Sequence, residues 1–251
     1  MPFTFSHPAI VLPFYNSKKN PFSVTGLVAG SVVPDFEFLL QLKESAYFGH
    51  TWMGLIVFNI PFAVLLSFVF HQVIKKSLIS HLPQCLRERF TVFVAFNWRR
   101  YFLKNKMRFF VSVLCGILSH FLLDAFTHRD GFFATMHPLF YAEVVFSILR
   151  LPVYYILQLA TSLLGALYIL WLIFKMERNS DLLKRSGTFI YWTGLILMTI
   201  TILSVRLLVN KERESFEDII IACIGSFLYA LLVVSLFYFK KTGVNKKSPN
   251  I

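Results

Sequence analysis

Charge is scarce in this sequence: only 15% of its 251 residues are charged, 56% are hydrophobic, and the mean hydropathy is +0.63. A soluble domain of this size needs about a quarter of its residues charged to cover its surface, so a soluble reading is excluded. Cysteine is also sparse. Cys85, Cys115 and Cys223 lie far apart with no CxxC pair, which argues against a disulfide framework or a cysteine-held metal and leaves them as small apolar residues. No Pro/Gly/Ser-rich linker and no internal repeat interrupts the chain, so residues 1–251 read as one membrane-embedded helical domain. Met1 to Pro13 lack the basic start and long apolar core of a cleavable signal peptide and are expected in the mature protein.

The chain does have apolar blocks of roughly twenty residues, the length that spans a hydrocarbon core of about 30 Å. Four are plain, at about Trp52–Ile74, Met107–Phe126, Leu151–Phe174 and Gly187–Val209, and a fifth runs from about Phe216 to Phe239. The fold class is therefore all-α: a polytopic membrane bundle of about five transmembrane helices plus an N-terminal segment over residues 1–50. Lys75 to Arg108 holds nine basic residues against Glu88 alone, and the tail over 240–251 carries Lys240, Lys241, Lys246 and Lys247. Lys211 and Arg213, by contrast, sit among Glu212, Glu214, Glu217 and Asp218. By the positive-inside rule the basic 75–106 loop and the C-terminus are cytoplasmic, which puts the start of the first span at Trp52 outside. The expected location is a bacterial cytoplasmic membrane.

The surplus of +12 does not argue for nucleic acid, because a basic stripe needs a folded soluble module to present it. The aromatics and cations of Phe90–Phe110 read either as an interfacial helix on anionic headgroups or as a plain topology-setting loop. Phe22–Leu40 is apolar enough to span, and Gly26 and Gly30 form a GxxxG pattern that admits a close helix neighbour. It is broken at Pro34-Asp35 and followed by Glu37. A re-entrant or half-buried helix packed on the bundle is the preferred reading, since irregular backbone at depth is tolerated only against protein or a cavity.

Ionisable residues gather on one side. Residues at i and i+4 share a helical face, so His120 and Asp124 point the same way, about 6 Å apart along the axis and in the outer half of their span. His128 stands at its exit. Gly49-His50-Thr51 lies at the mouth of the first span, and Asp35 and His7 join it if the N-terminal segment is re-entrant. An intramembrane ionisable residue is costly and marks a functional site by default. Histidine with carboxylate in a partly dry pocket suits zinc or a similar divalent cation, and three protein ligands plus an open position would activate water. Bland readings stand beside each residue: a buried polar pair for His120 and Asp124, an interface residue for His50, a turn or cap for Asp35, and outer hydrogen-bond partners for His7 and His128. His71, His81 and His137 fall outside the cluster. Arg206 reads as a snorkelling side chain, and Glu143 as a weak candidate base.

Several motifs occur in a fixed order: Met1-Pro2-Phe3-Thr4-Phe5-Ser6-His7-Pro8, Gly30-Ser31-Val32-Val33-Pro34-Asp35, Gly49-His50-Thr51, and Ser119-His120 followed by Asp124-Ala125-Phe126-Thr127-His128. Together they resemble a bacterial family of polytopic membrane proteins known only as domain of unknown function 4184. That family is in turn distantly similar to membrane-bound metal-dependent hydrolases and, in pattern, to zinc-dependent phospholipase C enzymes. The resemblance implies that His7, Asp35, His50, His120 and Asp124 form the metal set. It departs from the hydrolase pattern at His50-Thr51, where the relatives have a longer His-Arg…Thr-His-Ser run.

The function expected is a membrane-embedded hydrolase. Its cofactor would be a divalent metal, zinc by ligand type, and its substrate a lipid or other phosphoester near the outer leaflet. Asp35 or Asp124 would serve as catalytic base when not a ligand. The rival class is a non-catalytic membrane protein, a structural partner or small transporter, whose His/Asp cluster binds a cation or is a buried polar pair. Its partner in either case is the lipid bilayer, with no nucleic acid.

Overall fold

The computed structural model describes residues 4–14, 21–44, 48–146, 149–179, 188–210 and 215–243. Lys211, Glu212, Arg213, Glu214, Lys246, Lys247 and Gly187, the expected start of the fourth span, lie outside the described residues. Short turns open the chain, with α1 over Pro8–Val11. Next comes α2 (Val24–Val32), whose first turn is capped by Ser23: its hydroxyl accepts from the Gly26 amide at 3.3 Å. Pro34 stops it. A 3-10 turn at Val33–Asp35 follows, then α3 (Phe36–Gln41).

The long helix α4 covers Trp52–His81 and opens with a Thr51 cap, the hydroxyl accepting from the Gly54 amide at 2.9 Å. It widens into a π turn at Leu55–Asn59. Pro61 has no amide hydrogen to give the carbonyl of Val57 and crowds it, and the wider turn absorbs that. Two short helices follow, α5 (Gln84–Phe90) and α6 (Trp98–Lys104), then α7 (Lys106–Thr127) and α8 (Phe132–Met136). An antiparallel hairpin pairs β1 (Glu143–Phe146) with β2 (Leu149–Pro152) in the register Glu143 to Pro152 and Phe146 to Leu149. The chain continues with α9 (Val153–Lys175), α10 (Thr188–Val209) and α11 (Phe216–Gly243).

Five helical stretches are long and apolar enough to cross a membrane: Trp52–His81, Lys106–Met136, Val153–Lys175, Thr188–Val209 and Phe216–Tyr238. The shortest, 22 residues, reaches about 33 Å against a core of about 30 Å. On α9, Leu163, Leu164, Leu167 and Phe174 are exposed. A helix that is apolar yet unburied suits lipid rather than water. The chain is a multi-pass helical membrane protein, with the five spans where the apolar blocks place them.

Two local expectations change. The hairpin takes the start of the third span: Leu151 and Pro152 belong to β2, and the helix begins at Val153. The Phe90–Phe110 stretch is not one interfacial helix. It breaks after a 3-10 turn at Thr91–Phe93 and restarts where Asn97 caps α6, its Oδ1 accepting from the Arg100 amide at 3.0 Å.

The contacts divide the chain into two compact units, Met1–Glu37, Ala46–Val64 and Asn105–Leu172 in one, and Phe38–Ser45, Leu65–Lys104 and Ile173–Ile251 in the other. In the first, α2 lies directly on α7. A Cβ on Gly26 would fall 2.7 Å from the Phe109 carbonyl, one on Gly30 would run into the Val113 carbonyl, and one on Gly116 would meet the Leu27 carbonyl at 2.5 Å. The two backbones touch where these glycines face, and Leu27, Phe109, Val113 and Ile117 are buried beside them. At nine residues, α2 reaches only about 14 Å, too short to span. In the second unit Tyr191, Leu195, Ala230, Leu231 and Val234 form a core with Ile74.

Candidate metal centre

The α2–α7 contact sets the site. His120, fully buried on α7, donates from Nδ1 to the Ser31 carbonyl at 2.8 Å. That carbonyl is within reach because the chain leaves α-helical geometry at Val33, and the last carbonyls of a helix lack partners within it. A carbonyl only accepts, so the bond fixes the tautomer and leaves the lone pair of a neutral His120 on Nε2.

Three ligand-type atoms face that lone pair. His120 Nε2 lies 3.4 Å from Asp35 Oδ1, 3.2 Å from Asp124 Oδ2 and 3.3 Å from His50 Nε2. His50 Nε2 is in turn 3.4 Å from each of the two carboxylate oxygens. All four atoms lie within 4.8 Å of one another. A tetrahedral ion with bonds of about 2.0–2.1 Å separates its ligand atoms by about 3.3–3.4 Å. The five measured edges match that tetrahedron. The donor set, two imidazoles and two carboxylates, fits Zn²⁺ or a similar ion.

Three of the four residues, His120, Asp35 and His50, are held from behind, His120 by the Ser31 carbonyl. Thr4 donates its hydroxyl to Asp35 Oδ2 at 2.6 Å, leaving Oδ1 to face the histidines. Glu37 accepts from the Gly49 amide at 2.7 Å, and Asn59, in the π turn, donates to the Gly49 carbonyl at 2.7 Å. These two bonds clamp the residue before His50 onto unit-one backbone. His7 is 3% exposed and stacks on the His120 ring with centroids 4.3 Å apart.

Burial would raise the Asp35 carboxyl. The His120 ring beside it, with hydrogen bonds from His120 and His50, outweighs burial and holds it well below the ordinary carboxylate range. At His50, burial disfavours the charge, but hydrogen bonds to Asp124 and Asp35 raise its pKa above the usual imidazole value.

All five residues expected as ligands are brought into one unit, but not equally. Asp35, His50, His120 and Asp124 converge on a point; His7 approaches only Asp124, with its Nε2 3.6 Å from Oδ1. His128 also turns to Asp124 Oδ1, at 3.4 Å from Nδ1. His71 stacks on Trp98 and His81 on Tyr191, at 4.7 and 4.3 Å between centroids, as packing rings of the second unit. His137 caps a 3-10 turn, and Glu143 pairs with Arg150 on the exposed hairpin. Arg206 donates to the Leu42 carbonyl at 2.9 Å. Sequence reasoning missed Thr4, Glu37, Asn59, Gln158 and the Ser31 carbonyl. Asn59 and Glu37 carried a signal, as polar residues within apolar runs; Thr4 and Ser31 carried none.

A cleft of about 310 Å³ opens beside His7, lined by Ser6, Ile10, Pro13, Leu123, Leu164 and Tyr168 among others. A second, of about 250 Å³, is lined by Leu82, Pro83, Gln84, Arg87 and Thr188 and holds no histidine or carboxylate. Comparison with known proteins assigns no activity. Residues 1–236 match the family described as "Domain of unknown function (DUF4184)", and the chain belongs to it. No curated protein and no solved structure matches the chain.

Proposed function

We propose that this member of the DUF4184 family is a membrane-embedded metal-dependent hydrolase acting on a lipid or related phosphoester, with zinc or a similar divalent ion at Asp35, His50, His120 and Asp124. One observation carries the reading. Two buried imidazole nitrogens and two buried carboxylate oxygens converge at tetrahedral-edge spacing, a costly concentration of charge and lone pairs unless a cation or shared protons join them.

When bound, such an ion supplies Lewis acidity, polarising a phosphoryl oxygen and acidifying water towards neutral pH. Asp35 and His120, 2% and 0% exposed at the side chain, anchor the closed side, while His50 and Asp124, at 19% and 13%, face the opening. Substrate therefore enters along the His50–Asp124 edge. Asp35 turns one oxygen to His50 and His120 and gives the other to Thr4, while Asp124 turns Oδ2 to the same histidines and Oδ1 to His7 and His128, so whichever carboxylate does not hold the ion would serve as the base. His7 borders both the cluster and the apolar cleft, so a substrate with a hydrocarbon chain can rest its tail beside Leu123 and Leu164 while its head reaches Asp124. We read the α2–α3 segment as re-entrant from the outer side, with His50 at the mouth of the first span.

The test is metal content. Protein purified in mild detergent without chelators should contain stoichiometric divalent metal by mass spectrometry or take up added zinc. His120→Ala and His50→Ala should lose it while eluting as the same folded particle, and His137→Ala should keep it. Wild-type protein that holds no metal and gains none on titration overturns the reading, and a proton-shared His/Asp pair then accounts for the cluster.

A further inference from the structure

Helix α6 has two unlike faces. Its sequence, Trp98-Arg99-Arg100-Tyr101-Phe102-Leu103-Lys104, puts Trp98, Tyr101 and Phe102 on one side of a helix and Arg99, Arg100, Leu103 and Lys104 on the other. The aromatic side is taken up by α4. Trp98 is 1% exposed, stacks on His71 with centroids 4.7 Å apart and meets Phe68 edge-on at 6.1 Å, while Phe102 meets Phe68 at 5.2 Å. Lys75 ties down the approach to the helix, donating from Nζ to the Phe96 carbonyl at 2.8 Å. The other side is left outward, and all four of its residues are exposed.

That seat sets the depth of α6. The apolar run of α4 ends at Lys75-Lys76, where charge marks the passage from hydrocarbon to headgroups. His71 and Phe68 stand four and seven residues before Lys75, about 6–10 Å along the axis. Helix α6 therefore lies at the membrane boundary rather than out in water. Its cations are not neutralised there. Glu88 is the one acid between Lys75 and Lys104, and it takes the Gln84 amide at 2.7 Å. Among the described residues Arg99, Arg100 and Lys104 form no ion pair. Leu103 shares their face, and Val92 and Phe93 shortly before the helix are exposed as well. Water suits the cations but not Leu103 and Phe93, and a soluble polyanion would leave the same apolar groups wet. A leaflet that carries phosphates over hydrocarbon satisfies both.

We propose that the exposed face of α6 is a binding site for anionic phospholipid: Arg99, Arg100 and Lys104 hold headgroup phosphates of the leaflet that the 75–106 loop meets, and Leu103 and Phe93 reach into the acyl layer beneath. Guanidinium forks suit a phosphate, two donors to two oxygens. A loop that only sets topology needs positive charge but no particular arrangement of it. Here the cations stand on a helix whose back is anchored by Trp98 and Phe102 and whose entry is fixed by Lys75, so little ordering remains to be done when a lipid binds. The site is separate from the metal centre, since its residues all belong to the second compact unit.

The experiment is a lipid titration of the full-length protein in mild detergent, read by native mass spectrometry and thermal melting. Phosphatidylglycerol should bind and raise the melting temperature, phosphatidylcholine should do neither, and added salt should weaken the effect. The combined substitution Arg99→Gln, Arg100→Gln and Lys104→Gln removes three charges, each worth about fivefold in affinity near an anionic surface. Phosphatidylglycerol should then bind on the order of 100-fold more weakly, with lipid-free melting unchanged. Should the triple variant fail to fold, the three single substitutions, all at exposed positions, should each lose about fivefold. The same charge removed elsewhere, by Arg87→Gln, Lys175→Gln and Arg178→Gln together, should leave binding intact. Wild-type protein with no preference for phosphatidylglycerol overturns the site. So does a preference that survives the α6 substitutions, or one lost equally in the control variant. Glycerol 3-phosphate that binds as well as the lipid overturns it too, since the face would then take free phosphate.

Discussion

At the residue scale the site depends on groups that touch no proposed ligand atom of the ion. Thr4 is the clearest, because its hydroxyl at 2.6 Å turns Asp35 so that Oδ1 faces inward. Thr4→Val keeps the shape and removes the donor, leaving a buried carboxylate oxygen unsatisfied, which costs on the order of 1–3 kcal/mol. Zinc affinity measured by chelator competition should fall by about 10–100-fold without being lost, and Thr4→Ser should restore most of it. An unchanged affinity in Thr4→Val would mean that Asp35 is oriented by its neighbours on the histidine side alone. None of this is legible from Thr4 itself, which stands 31 positions from its partner and belongs to no local pattern. His120 and Asp124 are legible, because a four-residue spacing on a helix fixes a shared face.

The elements are placed by backbone contact. Helix α2 carries Ser31 and leads into Asp35, and it can supply both to His120 only while Gly26, Gly30 and Gly116 let it lie on α7. Gly116→Ala puts a Cβ 2.5 Å from the Leu27 carbonyl and 2.7 Å from the Ser31 amide nitrogen. Neither is the end of a flexible side chain, so the helices must part. The expected result is a lower melting temperature in detergent, from overpacking of about 1–3 kcal/mol, with zinc binding weakened in the same variant. Gly194→Ala, where an added Cβ meets nothing within 4 Å, should change neither. If Gly116→Ala binds zinc like the wild type, the site does not depend on this close approach. The GxxxG spacing announced a close contact but not its partner. The hairpin at Glu143–Pro152 was not legible: Leu151 read as the start of a span, and only register pairing shows Glu143–Phe146 and Leu149–Pro152 as strands.

For the whole molecule, the distribution of charge sets orientation. Lys75 to Arg108 carries nine cations and one anion, and moving such a loop across a membrane is disfavoured. A phosphatase reporter fused after Ile251 should be inactive and a fluorescent reporter active, with the C-terminus cytoplasmic. Phosphatase activity at that position, a sign of export, would invert the topology and carry the proposed metal centre to the inner leaflet.

Composition and periodicity were enough to determine the class of this protein. A chain with so few charges and five apolar blocks of spanning length has no folded state in water that could cover its surface, so a helical membrane bundle follows from hydration alone. The helical spacing of His120 and Asp124 likewise fixed their common face. Convergence is different in kind. Asp35, His50 and His7 reach that face from separate segments, by way of a helix broken at Pro34, a clamp of Glu37 and Asn59 on Gly49, and a ring stacked at 4.3 Å. Distances of 3.2–3.4 Å between atoms up to 85 residues apart arise from packing against shared neighbours. No local rule carries that information; the close seat of α2 on α7 supplies it.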